Sequence, residues 1–153
     1  MSGYMRLTLG KEKYLIPQGE VIALEPAIDI DRSGSFDGNI GVVPYENKRL
    51  PVYSLTNDLE LSQTLPESRR ICLCLSHDGI GFGILCDDVD NLQDVNFTVV
   101  SIPECMRTEN CPVDNLAVYG NKVMNIISAE SVLKLLPSSI PPEREFLTSG
   151  QKL

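Results

Sequence analysis

The 153-residue sequence lacks tryptophan, contains a single histidine, His77, and is poor in basic residues. Only 13 lysines and arginines stand against 21 aspartates and glutamates, which gives a formal charge of −8 at pH 7. A chain with this charge is repelled by polyanions such as nucleic acids and by anionic membrane surfaces. We therefore expect no nucleic-acid partner.

Long apolar runs are also missing. No stretch approaches the roughly 18 apolar residues of a membrane span, and residues 1–6 do not form the apolar core of a secretory signal. These absences predict a cytoplasmic protein without membrane insertion.

The five cysteines lack the spacing of a metal site. Cys72 and Cys74 are separated by one residue, whereas zinc sites favour a Cys-x-x-Cys spacing or additional histidines. An odd number of cysteines in apolar segments indicates reduced thiols that pack as small hydrophobes. We predict no metal and no cofactor.

The sequence shows no convergent catalytic set. His77 lies beside a predicted hairpin tip, where an orienting partner is not expected. Gly79, Gly81 and Gly83 lead into another strand and not into the helix N-terminus that a phosphate loop requires. We therefore do not expect an enzyme.

Short strands and tight turns dominate the chain. Apolar and β-branched segments flank turn residues in four predicted hairpins, at residues 6–16, 40–55, 70–86 and 116–127. Asp78-Gly79 and Gly120-Asn121 are favourable two-residue turns. Residues 21–24 fit either a strand or a helical turn, residues 89–100 read as a continuing strand, and residues 57–68 read as a surface loop. The pattern predicts a mainly β protein.

The last hairpin is followed by a short helix. Ser128 is a suitable N-cap, Glu130 is favourable near the positive helix end, and Pro137 stops the helix. We predict a folded domain over residues 1–136 and a loose tail over residues 137–153. The nearly continuous apolar strands of residues 70–86 should be covered on both faces.

Several blocks together resemble the CheW-like domain of bacterial chemosensory systems. They are residues 7–14 (LTLGKEKY), 41–42 (GV) with 51–55 (PVYSL), 83–89 (GILCDDV), and the closing strand and helix of residues 116–136. The resemblance implies two packed five-stranded SH3-like β-barrels with a short C-terminal helix. It also implies a non-catalytic adaptor that couples the cytoplasmic domain of a chemoreceptor to the regulatory domain of a histidine kinase.

The chain departs from the family at the expected contact site. The family segment usually reads Asn-Leu-Arg-Gly, whereas this chain has Pro44-Tyr45-Glu46-Asn47, so Glu46 replaces the arginine. Ala23 falls where the family has the glutamate that interacts with that arginine. An anion in place of a bidentate cation alters recognition, which indicates a divergent partner set, with a pathway of type IV pilus motility as one setting.

The resemblance places the candidate partner-binding residues in two short segments of the chain. They are Val21, Ala23, Val42, Tyr45, Glu46 and Asn47. For each of these residues, the alternative to a role in partner binding is an ordinary role in the core or in a turn. Tyr45, which combines apolar area with a polar tip, is the best candidate for an anchor.

A small-ligand or calcium-binding β-barrel is the alternative function. Asp29, Asp31, Ser33 and Gly34 match the opening of a calcium loop, and Asp37 follows plausibly. However, the twelfth position is Ile40 and not the bidentate glutamate of that loop. The thiols offer a second candidate site for this alternative.

Overall fold

The computed structural model describes residues 3–34, 38–92, 96–103, 105 and 112–136. These residues form a mainly β protein with two sheets and one short α-helix. No helix within them is long and apolar enough to cross a membrane. The predicted tail, residues 137–153, lies outside the described residues, and so do parts of the predicted calcium loop.

Twelve strands run through the described residues. They are β1 Tyr4–Leu9, β2 Glu12–Pro17, β3 Val21–Pro26, β4 Gly41–Tyr45, β5 Lys48–Leu55, β6 Leu61–Ser62, β7 Ile71–His77, β8 Ile80–Cys86, β9 Asp88–Leu92, β10 Thr98–Ser101, β11 Val113–Tyr119 and β12 Lys122–Ile127. The α-helix, α1, spans Ala129–Leu133, and single 3₁₀ turns span Gln18–Glu20, Ala27–Asp29 and Arg32–Gly34.

The four predicted hairpins are confirmed as β1–β2, β4–β5, β7–β8 and β11–β12. In the β7–β8 turn, Asp78 and Gly79 both have positive φ, 51° and 76°, as a primed two-residue turn requires. The β4–β5 turn differs, because its positive-φ residue is Glu46, at 55°. A glutamate rarely adopts this conformation, and the asparagine of the same turn, Asn47, is not the residue that has the positive φ.

Each sheet combines hairpins through one parallel contact. The first sheet has the order β10-β11-β12-β2-β1-β9, and β12 pairs in parallel with β2. The second has the order β3-β7-β8-β5-β4, with β6 attached to β5, and β5 pairs in parallel with β8. The two sheets correspond to two SH3-like subdomains, which confirms the predicted fold class. The described strands number six in each sheet, where five were expected.

The extra strand of the first sheet comes from residues 89–100. The sequence predicts one continuing strand there, but the structure divides it into β9 and β10. The strand β9 pairs with β1 at one end of the sheet, and β10 pairs with β11 at the other. Only the sheet order reveals this division, because both pieces have the composition of a strand.

The largest apolar cluster lies between the two sheets. Leu7 and Ile16 enter it from the first sheet, Leu73 and Phe82 from the second, and Val132 from α1. Two smaller clusters occupy the other faces: Leu15, Ala117 and Ile126 in the first subdomain, and residues including Val52, Cys72 and Leu85 in the second. Consecutive residues of β7 and β8 therefore face different clusters, which confirms that this hairpin is covered on both sides.

The helix α1 covers the central cluster. Ser128 accepts a hydrogen bond from the Ser131 backbone N–H, and the Ser131 hydroxyl accepts one from the Ser128 backbone N–H, both at 3.0 Å. This reciprocal arrangement satisfies two donors at the helix start and confirms Ser128 as the N-cap. The Glu20 carboxylate also accepts a hydrogen bond from the Ala129 N–H at 2.6 Å, which anchors the helix to the segment before β3.

Candidate protein-binding surface

The six candidate contact residues lie at the two ends of the second sheet. Val21 and Ala23 belong to β3, and Val42 and Tyr45 belong to β4. Glu46 and Asn47 form the turn between β4 and β5. They lie between Tyr45 and Lys48, which are the last paired residues of the hairpin. The undecided segment of residues 21–24 is therefore a strand.

The chain after β3 joins these two ends. The Asp31 N–H donates to the Val42 carbonyl at 2.8 Å, and the Val42 N–H donates to the Asp31 carbonyl at 3.0 Å. This isolated bridge ties the segment that follows one edge strand of the second sheet, β3, to the other edge strand, β4. Ala23 and Tyr45 accordingly pack against the same apolar cluster, the one inside the second subdomain.

The candidates differ in what a partner can reach. Glu46 and Asn47 are exposed, and Tyr45 and Ala23 are half-buried. Val42 is only 9% exposed, and Val21 packs instead against the central cluster. The structure thus brings Ala23 and Tyr45 to one cluster, but it does not bring Val21 to that cluster.

Exposed apolar residues follow β3 that the sequence did not single out. Leu24 is 46% exposed and Ile28 is 88% exposed. A β-bulge between Val21 and Ala23 shifts the strand register, so Leu24 pairs with Leu73 on the outer strand of the sheet. The only sequence signal was their apolar character beside Pro26, which does not distinguish an exposed side chain from a core residue.

A polar cluster ties the two subdomains together. The buried Arg69 side chain donates from Nη1 to Asp87 Oδ1 at 2.6 Å and from Nη2 to the Leu55 carbonyl at 3.1 Å and Asn57 Oδ1 at 3.0 Å. Asp87 Oδ2 accepts the Gly10 N–H, at the β1–β2 turn of the first sheet, at 2.7 Å. We call these five residues the Arg69 cluster. It fixes the position of one sheet against the other.

Burial alone would raise the pKa of the Asp87 carboxyl, but its hydrogen bonds dominate. Donors from Arg69, Gly10 and Ser68, together with the Arg69 charge, hold the pKa of Asp87 below its ordinary value. Asp87 is therefore ionised at neutral pH and paired with a buried cation.

The alternative ion site has no support within the described part of the chain. The Asp31 Oδ1 atom accepts hydrogen bonds from the Ser33 hydroxyl and N–H, and these bonds lower the pKa of the Asp31 carboxyl. No group of three histidine, cysteine or acidic side chains in the described residues is arranged to hold a metal ion. Residues 35–37 of that loop lie outside the description.

The thiols of the second subdomain are buried. The Cys72 and Cys74 sulfurs lie 4.0 Å apart on β7. The hydrogen bond with Cys74 and burial raise the pKa of Cys72, and burial raises the pKa of Cys86 to about 12. Since the thiolate is the nucleophile and metal ligand, neither thiol is reactive at neutral pH. Both behave as the small hydrophobes that the sequence indicated.

Two SH3-like subdomains that share a core and present strand edges and turns define a β-rich interaction module. The sequence profile of the CheW-like domain family matches residues 3–137. Among solved structures, the scaffolding protein TtCheW from Thermoanaerobacter tengcongensis is similar, with a TM-score of 0.65 and 16% sequence identity over 82% of this chain and 88% of that chain. No curated protein sequence matches the chain significantly.

The chain therefore belongs to the CheW-like domain family. It is a scaffold of chemotaxis signalling and, as the family is, non-catalytic.

Proposed function

We propose that the protein couples the cytoplasmic domain of a chemoreceptor to the regulatory domain of a histidine kinase, by protein contacts alone. Family membership over residues 3–137 supports a scaffold role of this kind. Both domains lie in the cytoplasm, which is the compartment we assign to the protein. The pathway we propose is one that controls type IV pilus motility.

The proposed docking surface consists of β3, β4 and the β4–β5 turn. The observation that supports it is the Asp31–Val42 bridge, because this bridge ties the segment after the edge strand β3 to the other edge strand, β4. A half-buried tyrosine beside an exposed turn supplies apolar area at low entropic cost. Leu24 and Ile28 add exposed apolar area next to β3.

The β4–β5 turn, which differs from that of the family, gives this part of the surface a negative charge. Glu46 is exposed and points a carboxylate into solvent where the family has a guanidinium. An arginine forms bidentate pairs with carboxylates, and a glutamate at the same position repels them. We infer that the partner segment facing the turn carries a lysine or an arginine in place of the usual acidic residue.

Binding of the purified kinase regulatory domain and receptor cytoplasmic domain, measured by biolayer interferometry, tests this proposal. We expect Tyr45→Ala to weaken capture of at least one partner about tenfold, the size of a modest interface hot spot. Tyr119→Ala is the matched control, since Tyr119 is 47% exposed on the first sheet and should leave capture unchanged.

Circular dichroism separates lost contact from lost folding, because Tyr45 also packs against the second-subdomain cluster. Undiminished capture by a folded Tyr45→Ala variant would refute the proposed surface. Equal losses for Tyr45→Ala and Tyr119→Ala would do so too.

A charge-restoring pair tests the proposed partner preference. Ala23→Glu with Glu46→Arg rebuilds the two family charges on β3 and the turn. We expect the double variant to lose affinity for this protein's own partners and to gain affinity for an ordinary chemotaxis receptor. If the double variant kept the wild-type order of affinities for these two kinds of partner, Glu46 would not take part in recognition.

Deletion of the gene tests the pathway. We expect loss of pilus-driven surface motility with swimming left intact. Loss of swimming alone would contradict the pilus assignment and leave the scaffold role in place.

A further inference from the structure

A groove of about 710 Å³ opens between the two subdomains, on residues outside the docking surface proposed above. The start of β2, residues 58–61, Val113 and Leu135 line it. Its lining is mixed, with polar atoms contributing more surface than apolar ones. Among the apolar residues Leu59 is buried, Val113 and Leu135 are half-buried, and Leu61 is 36% exposed at the rim. We call it the inter-sheet groove.

Acidic side chains surround these apolar residues. Glu12, Asp58 and Glu60 line the groove and are exposed, against one cation, Lys134. Among the described residues, none of the three carboxylates forms an ion pair or accepts a hydrogen bond. The groove therefore combines a few apolar side chains with an excess of negative charge.

The pKa of Tyr14 reflects the same negative electrostatic potential. Burial is the largest cause that raises its pKa to about 12, and the charges of Glu12 and Asp58 add to the effect. A negative potential disfavours the phenolate and favours a cation in the same place.

The wall formed by residues 56–60 is preorganised. Thr56 N–H donates to the Glu60 carbonyl at 2.7 Å, and Leu59 N–H donates to the Thr56 carbonyl at 3.0 Å. Tyr14 Oη donates to the Asn57 carbonyl at 2.7 Å, which joins this wall to β2. These bonds hold Leu59 at a φ of 66°, a conformation that a leucine adopts only when its surroundings impose it.

We propose that the inter-sheet groove binds a segment of a protein partner that carries arginine or lysine beside aliphatic side chains. The aliphatic groups pack on Leu61, Val113 and Leu135, and the cation lies among Glu12, Asp58 and Glu60. A groove with a fixed wall lowers the ordering cost of binding. The scaffold then has two docking surfaces on separate residues, and two partners can be held at once.

The test uses the full chain and two defined peptides. In the first, leucine and arginine recur at helical spacing, and in the second glutamate replaces each arginine. Methyl-labelled NMR spectra follow the leucine and valine signals during titration. We expect the arginine peptide to give saturable shifts at Leu59, Leu61 and Leu135, and the glutamate peptide to bind about tenfold more weakly or not at all.

Binding of the arginine peptide must be mapped to the groove, because a protein of net charge −8 attracts any cationic peptide. Leu61→Ser should weaken binding about fivefold or more, whereas the matched variant Leu24→Ser, at a comparable exposure, should not. Asp58→Asn with Glu60→Gln should weaken the arginine peptide and reduce its salt dependence.

Four outcomes overturn the proposal. The first is shifts confined to β3 and β4, and the second is equal effects of Leu61→Ser and Leu24→Ser. The third is concentration-dependent groove shifts without peptide, which would assign the groove to a second copy. The fourth is groove shifts caused by Arg144→Glu without peptide, which would assign it to this chain's own tail. None of these readouts uses the receptor or kinase, so the docking surface on β3 and β4 can fail or succeed separately.

Discussion

Removing one partner of the Arg69–Asp87 ion pair should be among the most damaging single substitutions in the chain. The Arg69 side chain is 2% exposed and that of Asp87 is 17% exposed, so the two groups are not equivalent. Asp87→Ala leaves a fully buried guanidinium without its anion. Arg69→Met leaves a carboxylate that water can partly reach.

The magnitudes follow from this asymmetry. Breaking a buried pair from one side costs about 3–5 kcal/mol, and we expect Asp87→Ala to lie in that range. Arg69→Met loses charged hydrogen bonds to the Leu55 carbonyl and to Asn57, but it also removes a buried Nε that has no acceptor among the described atoms. Its cost should be smaller, about 2–3 kcal/mol. Either loss is a large part of a typical domain stability of about 5–15 kcal/mol.

Urea unfolding followed by circular dichroism at pH 7 measures these losses. The double variant Arg69→Met/Asp87→Ala should be more stable than the sum of the single losses predicts, by about 0.5–3 kcal/mol, because the two groups interact. Additive losses, or a loss below about 1 kcal/mol for Asp87→Ala, would refute the assignment of the cluster as the joint between subdomains.

The pH dependence has a definite sign. The folded pKa of Asp87 lies below its unfolded value of about 3.9, so its contribution is present above that pH and is lost as the pH falls through the folded pKa. Wild-type stability should therefore fall more steeply below about pH 4 than that of Asp87→Asn. A parallel decline in both proteins would contradict this reasoning.

Three further predictions follow from local geometry. Glu46→Gly should stabilise the domain by about 0.5–1 kcal/mol in urea unfolding, because it relieves the positive φ, whereas Asn47→Gly should give no gain. Tyr14→Phe should remove part of the stability loss of the wild type between about pH 10 and pH 12, since a raised phenol pKa stabilises the folded state below that window. Alkylation mapped by mass spectrometry should modify the exposed Cys105 in the native protein. The buried thiols should react only after unfolding, namely Cys72, Cys74 and Cys86.

Each of these predictions has a contradicting result. Equal stability gains for Glu46→Gly and Asn47→Gly would mean that backbone strain at the turn is not the cause. An unchanged alkaline decline in Tyr14→Phe would assign the effect to other groups. Rapid native alkylation of Cys72 would show that β7 opens far more readily than its burial indicates.

Local chemistry made much of the fold predictable. Asp78-Gly79 specified a primed turn because few other residue pairs accept two positive φ values, and the structure has both. Ser128 specified the start of α1 because its hydroxyl can accept from the first turn. The continuous apolar composition of β7 and β8 indicated burial on both faces. Each signal acts within a few residues of the chain.

Tertiary structure alone decided which of these pieces meet. Arg69 and Arg70 are neighbours with the same chemistry, yet Arg69 is buried against Asp87 and Arg70 is exposed, because only the packing of the two sheets creates that buried site. The division of residues 89–100 into two distant strands, the Asp31–Val42 bridge and the inter-sheet groove likewise depend on contacts between residues far apart in sequence. Such contacts are stabilised by the burial of the central cluster. The sequence around each buried side chain does not show which distant residues it packs against.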